Sequence, residues 1–379
     1  MEDKHPTPDR SLVLLGGGHA HVKVLADLAE RPLAGWQVHL VTPYRRQIYS
    51  GMLPGWIAGH YPIDACAIAL DRLAAAAGIT LHETSGSALD LPQGLVHCAD
   101  GSSVRFDQLS TDTGPMPALQ GLPGSAEHAL PVRPIERFIA AWPAVAQRIA
   151  CQRQRFDLAI LGAGAAGIEL AFAIQYRARI EGWPQLRITV VGSDALPLPG
   201  TPLATRRQAA ALLAQRGITW MGQRRATQLT AEAMHFEQGA PLHFDAALVS
   251  TGAAAPAWPA ASGLATDADG FIRVGPTLQS VSHPQVFAAG DVAAYAQPRP
   301  KSGVYAVRAG PVLAQNLRAA CEGQPLQAWT PQARALYLIS TGERHALATW
   351  GRWSWSGAWV WRWKDRIDRQ FMRRFGTAA

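Results

Sequence analysis

Sulfur chemistry is nearly missing from this sequence. Its four cysteines, Cys66, Cys98, Cys151 and Cys321, lie far apart, with no CxxC, no CxxxxC and no Cys/His cluster of zinc-ligand spacing. A disulfide scaffold and a paired redox thiol are excluded, which leaves each cysteine the reading of a small buried side chain. Charge is scarce too: Asp, Glu, Lys and Arg make up 17% against 48% hydrophobic residues, a folded rather than a disordered composition. The most apolar stretch, residues 158–174, is interrupted by glycines and Glu169, so it reads as strand, turn and helix instead of a membrane span. The opening residues, MEDKHPTPDR, lack the apolar core of a secretory signal, and a cytoplasmic protein is expected.

What is present is glycine at particular places. Residues 11–29, SLVLLGGGHAHVKVLADLA, pass from an apolar run through three glycines into a helix-period pattern. This is the strand, turn and helix of a dinucleotide-binding unit: Gly16 makes the tight turn, Gly18 admits a pyrophosphate, and the helix N-terminus offers it unpaired N–H groups. Residues 156–174 repeat the pattern with GxGxxG at Gly162, Gly164 and Gly167. Residues 78–114 and 217–252 also resemble each other: Gly-Ile-Thr opens both, and both close on a Thr-Gly pair, Thr113–Gly114 and Thr251–Gly252. A duplicated α/β fold follows. Val286–Ala289 then forms an apolar strand that delivers Gly290 and Asp291 at its carboxyl end, where ligands of doubly wound sheets bind; Asp291 reads as a contact to ribityl hydroxyls or as a helix N-cap.

The chain resembles the two-dinucleotide-binding-domain flavoproteins of the pyridine nucleotide-disulfide oxidoreductase superfamily. The segments GGGHAHV, YSGMLPGWIAGHY and KSGVYAVRAGP, with the Trp/Arg-rich end, are similar to the type II NADH dehydrogenase-like branch that includes the N-terminal partner of selenide, water dikinase fusions. The resemblance implies FAD in the first unit, on residues 1–120 and 256–327, and NADH or NADPH in an inserted unit, 121–255. It places FAD against Gly16, Gly18, His19, Ala20, Thr42, Gly51, Thr113, Gly114, Gly290, Asp291, Gly303 and Val304. The nicotinamide nucleotide falls against Gly162, Gly164, Gly167, Thr251 and Gly252. Glu169 is the candidate catalytic residue, orienting the nicotinamide amide, or else a carboxylate stabilised by the helix N-terminus. Two departures stand out: His21 takes the third glycine position, and Thr42 and Gly192 replace the ribose-binding acids. Arg206 or Arg207 suits a 2′-phosphate as well as any group suits NADH. No metal site is expected.

Without a thiol pair, electrons pass from the flavin to a small acceptor, for which a quinone is the natural candidate; a soluble reductase for a protein or selenium-compound partner and a weakly catalytic flavin sensor are the alternatives. The end of the chain, residues 328–379, bears on this choice. Six of 13 tryptophans fall between Trp350 and Trp363, and five of the seven net positive charges fall between Arg352 and Arg374. Trp359, Trp363, Ile367, Phe371 and Phe375 recur at every fourth position as a broad, slowly wrapping apolar side with Arg362, Arg366, Arg369 and Arg373 opposite, which predicts a helix lying in a membrane surface through residues 350–375 on the inner face of the cell membrane. The alternative is a helix docked on the protein's own core or on a second copy in a homodimer. Lys364 and Asp368 interrupt the apolar arc, the Trp353–Trp363 alternation is strand-like, and no nucleic-acid recognition fold accompanies the basic residues.

Overall fold

The computed structural model describes residues 10–376; the N-terminal segment 1–9 read above lies outside the described residues. Arg10–Leu15 is the centre of a parallel five-stranded sheet, flanked by Trp36–Val41 and Thr80–His82 on one side and by Gln108–Thr111 and Val286–Ala288 on the other. Its side chains are buried on both faces, as a sheet covered by helices requires. A second parallel sheet repeats the plan around Phe156–Leu161, with Leu186–Val191 and Ile218–Met221 to one side and Ala246–Val249 and Leu130–Pro131 to the other. The two sequence repeats each carry a three-stranded antiparallel sheet between matching parallel strands: Gly86–Asp90, Leu95–Cys98 and Ser103–Arg105 in one, and Ala226–Leu229, Ala233–Phe236 and Leu242–His243 in the other.

A third layer follows. Leu336–Ser340, Ala346–Trp350 and Trp353–Gly357 form an antiparallel sheet, and Ala358–Phe375 is a helix. The register sorts the side chains: Ile339 and Leu347 enter the core of the second unit, while Ala346 and Ala348 on the opposite face meet Val360 of the helix. Trp350, Trp353 and Trp355 project from this helix-bearing face and stay exposed.

The helix does not present the faces that its sequence predicts. Trp359, Trp363 and Ile367 are exposed beside Arg362, Arg366 and Arg373, whereas Phe371 and Phe375 turn inward, Phe375 into the core of the first unit. Lys364 and Asp368 lie on the inward face and are buried. The reason is geometric: steps of four residues advance about 40° on a helix of 3.6 residues per turn, so five such positions cannot share a face. The strand-like alternation is real but ends at Gly357, since Trp353 and Trp355 stand on a strand and Trp359 begins the helical series.

His21, in the third glycine position, loosens nothing. Its ring is buried; Nδ1 donates to the Gly16 carbonyl at 2.5 Å and Nε2 accepts from the Ser110 hydroxyl at 2.8 Å. Burial holds its pKa down at about 4, so the imidazole stays neutral. His21→Leu leaves both partners unpaired in the core, and denaturant unfolding is expected to show a loss of about 2–4 kcal/mol.

Candidate functional site

A cleft of about 470 Å³ opens beyond the carboxyl ends of the first sheet, bordered by Gly16–His19, Thr42, Asp112–Gly114, Arg133, Asp291 and Gly303. Crowding against Asp112 accounts for three glycines here. Gly16 has φ +94°, and a Cβ there would lie 2.5 Å from the Asp112 carbonyl oxygen. A Cβ on Gly18 would lie 2.3 Å from the Asp112 carboxyl carbon, and one on Gly290, at φ +71°, 2.4 Å from Asp112 Oδ1.

Asp112 is the residue that sequence reasoning passed over. Its carboxylate accepts the N–H groups of Ala20 and His21 at 2.8 and 3.2 Å, so the start of helix His19–Glu30 is capped from within. Two of the N–H groups that open this helix are therefore already taken by a protein carboxylate, 92 residues downstream of Ala20. Burial, reinforced by Asp291, pushes its pKa up to about 7 against the pull of the two N–H donors.

Asp291 sits in a 3₁₀ turn, Gly290–Val292, and pairs with Arg133 at 3.1 Å instead of capping a helix. Arg133 brings a cation into the cleft from a segment that carried no motif. His19 is half-buried, its Nε2 has no protein partner, and burial and then Arg133 hold its pKa at about 4. Thr42 is buried at the cleft wall, and its hydroxyl accepts the Tyr44 N–H at 3.5 Å. Thr113 and Gly114 form the rim. Gly303 and Val304 open helix Gly303–Glu322, whose N-terminus faces the cleft across from Ser50. Gly51 is gripped from outside, its carbonyl accepting Lys364 Nζ at 2.5 Å.

In the second unit Gly162 has φ +120°, and a Cβ there would lie 2.2 Å from the Ser250 carbonyl oxygen. Gly167 packs against the Gly162 carbonyl, while Gly164 and Gly252 face open space. Thr251 is turned to the protein, its hydroxyl donating to the Ala118 carbonyl at 3.0 Å. Gly192 is glycine because the Trp220 indole lies where its side chain would go, 2.6 Å from the Cβ position. Arg206 is no free cation: it pairs with Asp194 at 3.0 Å and donates to the Leu196 and Pro197 carbonyls. Arg207 is exposed.

Glu169 Oε1 accepts the Ser340 N–H at 2.7 Å, tying the second unit's helix to the C-terminal sheet. Lys364 stands near it; burial works against the ammonium, but Asp368 at 2.7 Å and Glu169 outweigh that and hold it charged. Asp368 also takes the Tyr49 hydroxyl. Cys66 lies in this region with its thiol pushed up to about 12 by burial and by Asp368, so it is no thiolate. None of the four cysteines borders the cleft, and no group of three or more potential metal ligands occurs among the described residues.

Burial raises the Glu169 pKa from 4.5 to about 7. The folded state thus keeps a proton that the unfolded chain has released, and the contribution of this group to stability falls as pH rises from about 4.5 to 7. Glu169→Gln keeps the acceptor for Ser340 and removes the titration. Its stability relative to wild type is expected to improve by on the order of 2 kcal/mol between those limits, read from denaturant unfolding of both proteins at each pH.

A family profile described as pyridine nucleotide-disulphide oxidoreductase matches residues 10–310. The chain is 25% identical over 343 residues to the demethylphylloquinone reductase NdbB of Synechocystis sp. (strain ATCC 27184 / PCC 6803 / Kazusa), covering 86% of this chain and 82% of that protein. Its fold is similar to that of the sulfide:quinone oxidoreductase from Aquifex aeolicus, with TM-score 0.80 and 16% identity over 97% of this chain and 91% of the other. NDH2 from Plasmodium falciparum in complex with NADH gives TM-score 0.78 and 10% identity, covering 97% and 99%. With the profile spanning most of its length and both nucleotide-binding units in place, the chain belongs to the pyridine nucleotide-disulphide oxidoreductase family.

Proposed function

We propose that this oxidoreductase carries electrons from NADH or NADPH through FAD to a quinone at a membrane surface. FAD and a nicotinamide dinucleotide are the cofactors of the family, and the first cleft fits the flavin nucleotide: glycines border it where a dinucleotide's backbone contacts are needed, and His19, in its lining, has an Nε2 without a protein partner. When bound, FAD supplies the two-electron chemistry, and the protein supplies orientation. Asp291, fixed by Arg133, would hold the ribityl chain; the N-terminus of helix Gly303–Glu322 would face the carbonyl edge of the ring. Glu169 would orient the nicotinamide amide through Oε2, since Oε1 is taken by Ser340.

The observation that carries the reading is this nucleotide cleft without a thiolate at its border. A disulfide acceptor has nowhere to form. A quinone acceptor is supported by the relatives whose own names contain one, NdbB and the Aquifex aeolicus enzyme. Membrane association is supported by the exposed Trp350, Trp353, Trp355, Trp359, Trp363 and Ile367 beside exposed arginines, aromatic rings and cations being the pairing that anionic interfaces attract. No helix among the described residues is long and apolar enough to cross a membrane, so attachment would be from one side.

Anaerobic mixing with NADH and with NADPH is expected to bleach the flavin absorbance with at least one donor, and a short-chain quinone then restores it. Bleaching by neither removes the dehydrogenase reading; bleaching without restoration by quinone removes the acceptor. Arg133→Ala is expected to weaken FAD retention about tenfold or more, measured as flavin lost on gel filtration, because Asp291 loses the group that fixes it.

A further inference from the structure

The C-terminal helix has two committed faces, and they concern different partners. On the inward side it grips the loop before Pro54: Phe371 stacks on Tyr49 at 4.5 Å, Asp368 takes the Tyr49 hydroxyl, and Lys364 Nζ holds the Gly51 carbonyl at 2.5 Å. The residue between them, Ser50, borders the cleft, its Oγ 3.7 Å from the Cβ position of Gly303. Both neighbours of a cleft residue are therefore held by this one helix. On the outward side Trp359 and Trp363 stack on each other and remain open, with Arg362, Arg366 and Arg373 beside them.

The inward grip is apolar at its ends, Val360 and Phe375, and polar between them. A Lys–Asp pair at 2.7 Å occupies its middle, and buried ion pairs add little net stability because desolvation offsets their attraction. The docked position is thus open to bias by anything that binds it selectively. Exposed Trp350, Trp353 and Trp355 stand on the same face of their sheet that Val360 of the helix packs against, so docking keeps the exposed rings of sheet and helix in one unit that a surface can engage together. The opposite charge of that surface is set by the arginines.

We infer that an anionic phospholipid bilayer, bound at this tryptophan and arginine face, stabilises the docked helix and thereby tightens the hold on FAD. The inference rests on the membrane reading above and adds a coupling to it. Coupling of this kind is reciprocal: lipid that slows flavin loss must bind the flavin-loaded protein better than the depleted one.

The test follows release of FAD from diluted holoprotein by the return of its fluorescence, with flotation run in parallel. Vesicles of phosphatidylcholine with phosphatidylglycerol are expected to float the protein and to slow release about fivefold or more, and phosphatidylcholine alone to do neither. Trp359→Ser with Trp363→Ser is expected to abolish flotation and leave release at its lipid-free rate. Asp368→Asn is expected to float like wild type while losing most of the vesicle effect. Flotation with unchanged release overturns the coupling and leaves the membrane reading standing. Absence of flotation overturns both, and slowing that survives in the double tryptophan variant overturns the coupling through this face. Full slowing in Asp368→Asn overturns the route through the inward face.

Discussion

The fold of the first unit turns on a contact between backbone and a carboxylate. Gly16, Gly18 and Gly290 come from two strand ends far apart in sequence, and all three press against Asp112 closely enough that no side chain fits. Asp112 in turn satisfies the helix that the glycine turn begins. The cleft exists because these segments are locked at its floor; Asp291 stands beside Gly290 of that floor, and Arg133 meets it from just after a strand of the second sheet. Neighbouring His21 closes the remaining gap by bridging Gly16 and Ser110. The crowding is energetically tolerable because the Ala20 and His21 N–H groups and both ring nitrogens of His21 have partners in it.

How much of this was legible in the sequence follows the distance over which each interaction acts. The glycine turns could be read because strand, turn and helix are contiguous, and the duplication because the strands of each repeat keep their spacing. Gly162 and Gly167 fall where the spacing requires them. Asp112 was invisible as a functional residue, although Thr113 and Gly114 beside it were singled out, because its partners Ala20 and His21 lie 92 and 91 residues away. Arg133 meets Asp291 across 158 residues, and Lys364 meets Gly51 across 313. Such pairs leave no local periodicity to detect. The signal that could have raised Asp112 is its place between an apolar strand and a Thr-Gly step, at the sheet edge where ligands gather.

The terminal helix shows a different kind of failure. Its aromatic series reads as one broad, slowly wrapping lipid-facing side, and the wrap, about 40° for each four-residue step, carries Phe371 and Phe375 round to the protein. Lys364 and Asp368 looked like interruptions of a lipid-facing stripe. They are the centre of the opposite, protein-facing side, where Tyr49 and the Gly51 carbonyl supply the partners that a buried charge needs. Arg206 makes a related point in the second unit: a cation near a phosphate site is not available if nearby carbonyls and an aspartate already fill its fork.

The antiparallel sheet that precedes the helix is rooted in the core of the second unit through Ile339 and Leu347, and the helix ends with Phe375 in the core of the first. One continuous stretch of chain is thus riveted at both ends, like a strap across a joint. Wide opening about a hinge between the units would have to tear one rivet out. A ligand of the cleft would then come and go past its border, where Thr113 is exposed, which would make its traffic a matter of threading and not of yawning.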